Sequence, residues 1–214
     1  MIVPYASWTG TKRNLRALRL AGWRLLMSPD TMKASRRGPP RWVDGSPAPY
    51  ALDNGAWGAH QRGVPFDAAA FEDTLGVLGT RADWIVAPDV VSGGLFSLSV
   101  TRAWLPRLAG FRLILIAVQD GMEPADVAAL LGPRVGLFLG GSTDWKLSTL
   151  NLWGRLARDV GCHYHIGRVN TVNRIMRCKD AGADSFDGTS ATRFAVNITR
   201  LDHARRQLNL YTEK

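Results

Sequence analysis

Cysteine is scarce in this 214-residue chain: Cys162 and Cys178 are the only two. Two thiols cannot build a disulfide framework or a four-thiolate zinc site, so the fold must be held by its core. Long apolar runs are missing as well. The strongest, around Leu113–Gln119, spans seven residues, well short of the roughly 18 of a membrane span. The opening Met1-Ile2-Val3-Pro4 lacks a basic stretch followed by an apolar one, so no secretory signal is expected and the chain reads as a soluble cytoplasmic protein with no membrane partner. No G-x-G-x-x-G follows the first apolar run. Trp8-Thr9-Gly10-Thr11 stands there instead, which argues against a dinucleotide-binding sheet.

Acidic residues are the last shortage. Against 27 Lys and Arg stand 18 Asp and Glu, a net charge of +9. Such an excess predicts a polyanionic partner, nucleic acid ahead of a membrane surface, with plain solubility as the alternative. At 46% hydrophobic and 21% charged residues, the composition is globular and excludes a disordered or fibrous chain. At roughly 150 residues per domain, the length favours one large domain over residues 1–214.

What is present is a regular alternation. Short apolar runs recur at Ile2–Tyr5, Trp23–Met27, Tyr50–Asp53, Trp84–Ala87, Arg112–Val118, Val135–Leu139, Cys162–Ile166 and Asp184–Asp187. Most are continuous rather than alternating, as in strands covered on both faces. Helical patterns with start and stop signals lie between them: Thr11 to Leu20, a helix opened by Asp67, one started by Glu123-Pro124, Thr143-Asp144 to Val160 ended by Gly161, Thr171 to Ala181 ended by Gly182, and Thr199–Leu210. Eight strands alternating with helices predict a compact (β/α)8 TIM barrel. The stretch Ser28–Pro49 reads as a long irregular loop carrying Lys33, Arg36, Arg37 and Arg41.

In such a barrel chemistry belongs at the C-terminal ends of the strands. Those ends read Asp53-Asn54-Gly55-Ala56-Trp57, Pro88-Asp89, Gln119-Asp120-Gly121, Gly140-Gly141-Ser142, Gly167-Arg168 and Asp187-Gly188. One Asp at a strand end is ordinarily a helix cap or turn. Three Asp and a Gln around one mouth point instead to a site, because Gln caps poorly and capping would use Ser and Thr as freely.

Together these residues resemble the tRNA-guanine transglycosylases. Gly182–Arg193 (GADSFDGTSATR) resembles their nucleophile segment G-[VI]-D-x-F-D-C-x-x-P-T-R, and Asp53–Trp57 resembles D-S-G-G-[FY]. Asp89 falls at their guanine-reading Asp, Val118–Gly121 resembles V-Q-G-G, and Leu139–Gly141 resembles their Gly-Gly turn. The ordered set covers about residues 50 to 195. Gly188 and Ala191 depart from the family's Cys and Pro, and the chain has no counterpart of its zinc segment. That combination is similar to the shorter DNA 7-deazaguanine transglycosylases of bacteriophages and bacterial DNA-modification islands. The resemblance implies the same barrel and the exchange of guanine in DNA for a free 7-deazaguanine base, such as the 7-cyano form, without cofactor or metal. It implies Asp187 as nucleophile and Asp53 as general acid–base. Asp89 and Gln119 would hold the guanine edge, with Gly140 and Gly141 offering backbone amides to O6. Trp57 would stack on the base, the alternative being a core tryptophan.

Lys12, Arg13, Lys33, Arg36, Arg37, Arg41, Arg168 and Arg193 all follow strands and are expected to form a phosphate-binding rim on that face. His163 and His165 share one side of strand seven. With too few further ligands for a metal site, His165 is expected to line the pocket and hydrogen-bond a neighbour. Three alternatives stay open: a zinc-less enzyme acting on tRNA, a non-catalytic nucleic-acid-binding subunit of a DNA-modification complex, and a hydrolase or ribosyltransferase of free nucleosides.

Overall fold

In the computed structural model, which describes residues 1–35 and 38–207, eight parallel strands close into a barrel in sequence order, the last pairing with the first. They are β1 (Val3–Ser7), β2 (Arg24–Met27), β3 (Tyr50–Leu52), β4 (Ile85–Val86), β5 (Ile114–Val118), β6 (Val135–Leu139), β7 (Tyr164–Ile166) and β8 (Ser185–Asp187). The helices are α1 (Lys12–Leu20), α2 (Pro29–Ala34), α3 (Ala56–Gln61), α4 (Ala68–Leu78), α5 (Gly94–Leu108), α6 (Pro124–Val127), α7 (Thr143–Val160), α8 (Val172–Asp180), α9 (Ser190–Arg193) and α10 (Val196–Arg206). This is the (β/α)8 barrel that the alternation predicts. No helix among the described residues is long and apolar enough to cross a membrane.

The continuous apolar runs are explained by two buried layers. Leu25, Met27, Leu52, Ile85, Ile116, Val118, Leu137 and Leu139 point outward into the layer between sheet and helices. Their alternates Tyr5, Leu26, Ala51, Trp84, Val86, Leu115 and Ala117 fill the barrel interior, with Phe138 against them. Every residue of β5 is buried, so neither face of that strand can be polar. The period of two then matters for the site. Counting on from Ala51 brings Asp53 inward, and Ser185 and Asp187 follow each other on the inner side of β8.

Helix starts follow capping chemistry. Asp67 accepts from Ala70 N at 2.9 Å and Thr171 from Arg174 N at 3.3 Å. Ser142, one residue before the expected Thr143, caps α7 by accepting from Trp145 N at 3.4 Å. Gly161 ends α7 at φ +70°, a conformation that glycine adopts without strain.

The Ser28–Pro49 stretch departs from expectation. It opens with α2, started by Pro29 and by a reciprocal cap in which Ser28 N donates to Thr31 Oγ1 at 2.6 Å and Thr31 N to Ser28 Oγ at 3.4 Å. Ala48 N bonds Pro40 O at 3.0 Å, and Asp44 pairs with Arg19 in the last turn of α1. Helix α5 is not among the sequence-predicted helices, and it carries Gly94 at its start and Pro106 inside it. It forms because Ser97, Leu98, Thr101 and Leu108 make a buried face, Thr101 Oγ1 donating to Pro88 O at 2.9 Å. The final helix lies earlier than Thr199–Leu210, and residues 208–210 lie outside the described residues.

Candidate active site at the mouth of the barrel

Asp187 is the last residue of β8, and its side chain is 9% exposed. Its Oδ1 takes two hydrogen bonds, from His165 Nε2 at 3.1 Å and from Arg168 N at 3.3 Å. Among the described residues Oδ2 has no donor, which leaves one oxygen held and the other free. Behind Oδ1 a chain crosses the barrel interior: His165 Nδ1 to Ser185 Oγ at 2.8 Å, then Ser185 Oγ to His163 Nε2 at 2.7 Å. Burial lowers the pKa of His165, although Asp187 pulls the other way, and burial followed by His165 lowers that of His163 to about 4. Both imidazoles are therefore neutral near pH 7, and one arrangement of protons satisfies the chain. His163 Nε2–H donates to Ser185, the Ser185 hydroxyl donates to His165 Nδ1, and His165 Nε2–H donates to Asp187. Phe138 stacks on the His165 ring at 4.8 Å between centroids and Trp84 lies at 4.5 Å, fixing its plane. His165 thus touches the pocket only through Asp187.

Asp53 follows β3 and is half-buried. Burial first, then the negative charges of Asp187 and Asp89, raise its pKa to about 7. Its Oδ2 accepts from Gly55 N at 3.2 Å. Gly55 has φ +85°, and a Cβ there would stand 3.1 Å from Pro29 Cδ, so the turn that aims Asp53 needs glycine. Asp89 is raised by burial and held down in part by Asn54. Asn54 Nδ2 donates to Asp89 Oδ1 at 2.7 Å and to Ala87 O at 2.8 Å, while its Oδ1 accepts from Ala56 N at 2.8 Å. The fold therefore gathers Asp53, Asp89 and Asp187 at one mouth. Sequence reasoning passed over Asn54, which fixes one of the three; its place inside Asp-Asn-Gly was the available signal.

One sequence-predicted role needs correction, and a second residue is engaged in a way the sequence did not signal. The Gln119 carboxamide holds the loop after β4, Nε2 donating to Val90 O at 3.0 Å and Oε1 accepting from Gly93 N at 3.1 Å. It clamps that loop with one bond at each atom. Gly140 N–H donates to Val118 O at 2.9 Å, so it is not free for a ligand. Gly141 has φ +69°, and a Cβ would lie 2.5 Å from Asp120 Oδ2 and 2.7 Å from the Trp145 ring. Glycine is needed there because Asp120 crosses to accept from Ser142 N at 2.6 Å and Ser142 Oγ at 2.5 Å.

Trp57, at the start of α3, is 40% exposed, so it is not a core tryptophan. The Arg168 guanidinium lies 4.5 Å from the centre of its ring, and Arg168 also donates to Gly141 O. Lys12 and Arg13 in the first turn of α1, Lys33 in α2 and Arg193 in α9 are exposed and follow β1, β2 and β8, on the mouth side. Lys33 also lines a cavity of about 430 Å³ beside the mouth with Asp30, Asn54, Gly55, Arg62 and Phe66. Arg41 does not join this rim. It bonds Gly45 O at 2.7 Å in the turn held to the last turn of α1, at the opposite end of the barrel. Arg36 and Arg37 lie outside the described residues.

His163 and His165 both spend a ring nitrogen on Ser185, and among the described residues no group of three or more His, Cys, Asp or Glu could hold a metal ion. A scan against protein-family models finds no match for the chain, and a search of curated proteins finds none either.

Proposed function

We propose that the barrel is a transglycosylase that exchanges guanine in DNA for a free 7-deazaguanine base through a covalent intermediate on Asp187. The observation that carries this reading is the pairing of two unlike carboxyls at one mouth. Asp187 has one oxygen held and one free, and Asp53 has a pKa raised to about 7. Unlike environments for two neighbouring carboxyls are the usual basis for dividing nucleophile from acid.

Asp187 Oδ2 attacks C1′ of the target nucleotide, and the C1′–N9 bond breaks with its electron pair leaving on the base. Asp53 gives its proton to that base and becomes a carboxylate. The incoming base then loses its N9 proton to Asp53 while N9 attacks C1′ and displaces Asp187. Two inversions retain the anomeric configuration, and Asp53 ends as it began. A group with pKa near 7 serves as acid and base with similar ease at neutral pH. Asp89, held by Asn54, faces the N1–H and exocyclic amine of guanine. Trp57 stacks on the base once Arg168 has moved from its face. The target must leave the base stack to reach this mouth, at a cost of a few kcal/mol, which phosphate contacts from Lys12, Arg13, Lys33 and Arg193 offset.

Two carboxyls facing a polyanion weaken a pure binding module, which favours an enzyme over a non-catalytic subunit. The test is mass spectrometry of nucleosides after the protein acts on duplex DNA, single-stranded DNA or a tRNA transcript with a panel of 7-deazaguanines. Incorporation into DNA supports the proposal; incorporation into tRNA alone moves the same chemistry to RNA. No incorporation into any of them overturns it.

A further inference from the structure

Lys146, in the first turn of α7, is only 5% exposed. Its ammonium donates to the Gly167 carbonyl. That carbonyl belongs to the peptide joining Gly167 to Arg168, and the N–H at the other end of the same peptide donates to Asp187 Oδ1 at 3.3 Å. A cation bonded to a carbonyl oxygen polarises the amide and strengthens its N–H as a donor. We propose that Lys146 is a positioning residue for Asp187, acting through the Gly167–Arg168 peptide. Only in naming Asp187 a nucleophile does this rest on the transglycosylase reading.

The local backbone is built for the contact. A Cβ on Gly167 would stand 2.8 Å from the Phe138 ring and 3.3 Å from Asp187 Oδ1, so glycine lets the peptide come close. Arg168 has φ +59°, a left-handed conformation for a residue with a side chain. Such a backbone costs on the order of 1–3 kcal/mol and persists where surrounding contacts impose it. Lys146 on one side and the Arg168 bond to Gly141 O on the other impose it here.

The charge is otherwise hard to explain. A buried cation is expensive unless something compensates it, and among the described residues no carboxylate forms an ion pair with Lys146. The titratable groups around it are Arg168, Asp187, Cys178, Arg174 and His165. Burial, then Arg168, push the Lys146 pKa down to about 8, while Asp187 pulls it up, so the ammonium survives at neutral pH. The Cys178 thiol, pushed up to about 12 mainly by burial, stays neutral and offers no countercharge. The negative charge that answers Lys146 is that of Asp187.

The Arg168 amide reports this without substrate. Its ¹H–¹⁵N signal is compared near neutral pH in the wild type, Asp187→Asn, Lys146→Met and Lys146→Arg, with thermal melting to confirm folding. An amide proton donated to a charged acceptor and polarised by a cation resonates downfield, so the Arg168 signal is expected to move upfield in Asp187→Asn and in Lys146→Met and to return in Lys146→Arg. In a base-exchange assay kcat falls in Lys146→Met with KM little changed, and Lys146→Arg restores it. A folded Lys146→Met protein with an unmoved Arg168 signal overturns the proposal, as does a signal unmoved in Asp187→Asn. A moved signal with no base exchange in any variant keeps the relay and removes the transglycosylase reading. Should Lys146→Met fail to fold, Lys146→Gln is measured instead, with the same outcomes deciding.

Discussion

Arg168 lies with its guanidinium 4.5 Å from the centre of the Trp57 ring, and the two residues come from opposite sides of the barrel. Arg168 follows β7 and Trp57 follows β3, four strands away in a ring of eight. Their contact therefore spans the mouth above Asp53 and Asp187, and it covers the ring face on which a base would stack.

Removing the guanidinium separates two effects. A cation over an exposed aromatic face is worth about 0.5–1 kcal/mol, so Arg168→Ala should bind a free 7-deazaguanine roughly two- to five-fold more tightly. The quenching of Trp57 fluorescence measures it. Weaker base binding in Arg168→Ala would mean that Arg168 holds the base rather than its place.

The raised pKa of Asp53 makes a stability prediction with a definite sign. Its folded value of about 7 lies above an unfolded value of about 3.9, so the folded state binds the proton more tightly. This group's contribution to stability is present at low pH and is lost as pH rises from about 4 to about 7. Asp53→Asn keeps the shape without the charge. It should match the wild type near pH 4 and exceed it near pH 8 by roughly 1–3 kcal/mol, while base exchange is lost. Chemical denaturation at the two pH values measures the difference. Equal stability at both would contradict the assigned environment. In the wild type, the exchange rate should fall as pH passes about 7, where the proton for the leaving base is lost.

The placement of the basic residues makes a third prediction. Log affinity for DNA against log salt should fall with a slope of about −0.9 per phosphate contacted. Changing Lys12, Arg13 and Arg193 to Glu should flatten that slope. Arg41→Glu should leave it unchanged, because Arg41 stands at the other end of the barrel. A slope altered equally by Arg41→Glu would show nonspecific attraction in place of a rim.

The eight strands were legible because most are continuous apolar runs with both faces covered, spaced regularly between helical patterns, and the three carboxyls were legible because strand ends fix their place. Gly140 was misread, and the hold of Gln119 on the loop after β4 was unforeseen, for a common reason. Both engage neighbouring backbone, at Val118 and at Val90 and Gly93, and no strand pattern encodes loop conformation. Arg41 was misplaced because the stretch after β2 spends its first residues on α2 and its last on the return to the far end. Nothing in the sequence pattern marks Lys146, and the packing of α7 against β7 buries it.

The central claim is the covalent bond to Asp187, and the most direct measurement is acid-quenched mass spectrometry of the protein reacting with a guanine-containing oligonucleotide. The account predicts an adduct on the peptide bearing Asp187 that disappears when 7-deazaguanine is added and never forms in Asp187→Asn. An adduct that persists in Asp187→Asn, or base exchange that proceeds in that variant at the wild-type rate, would contradict it.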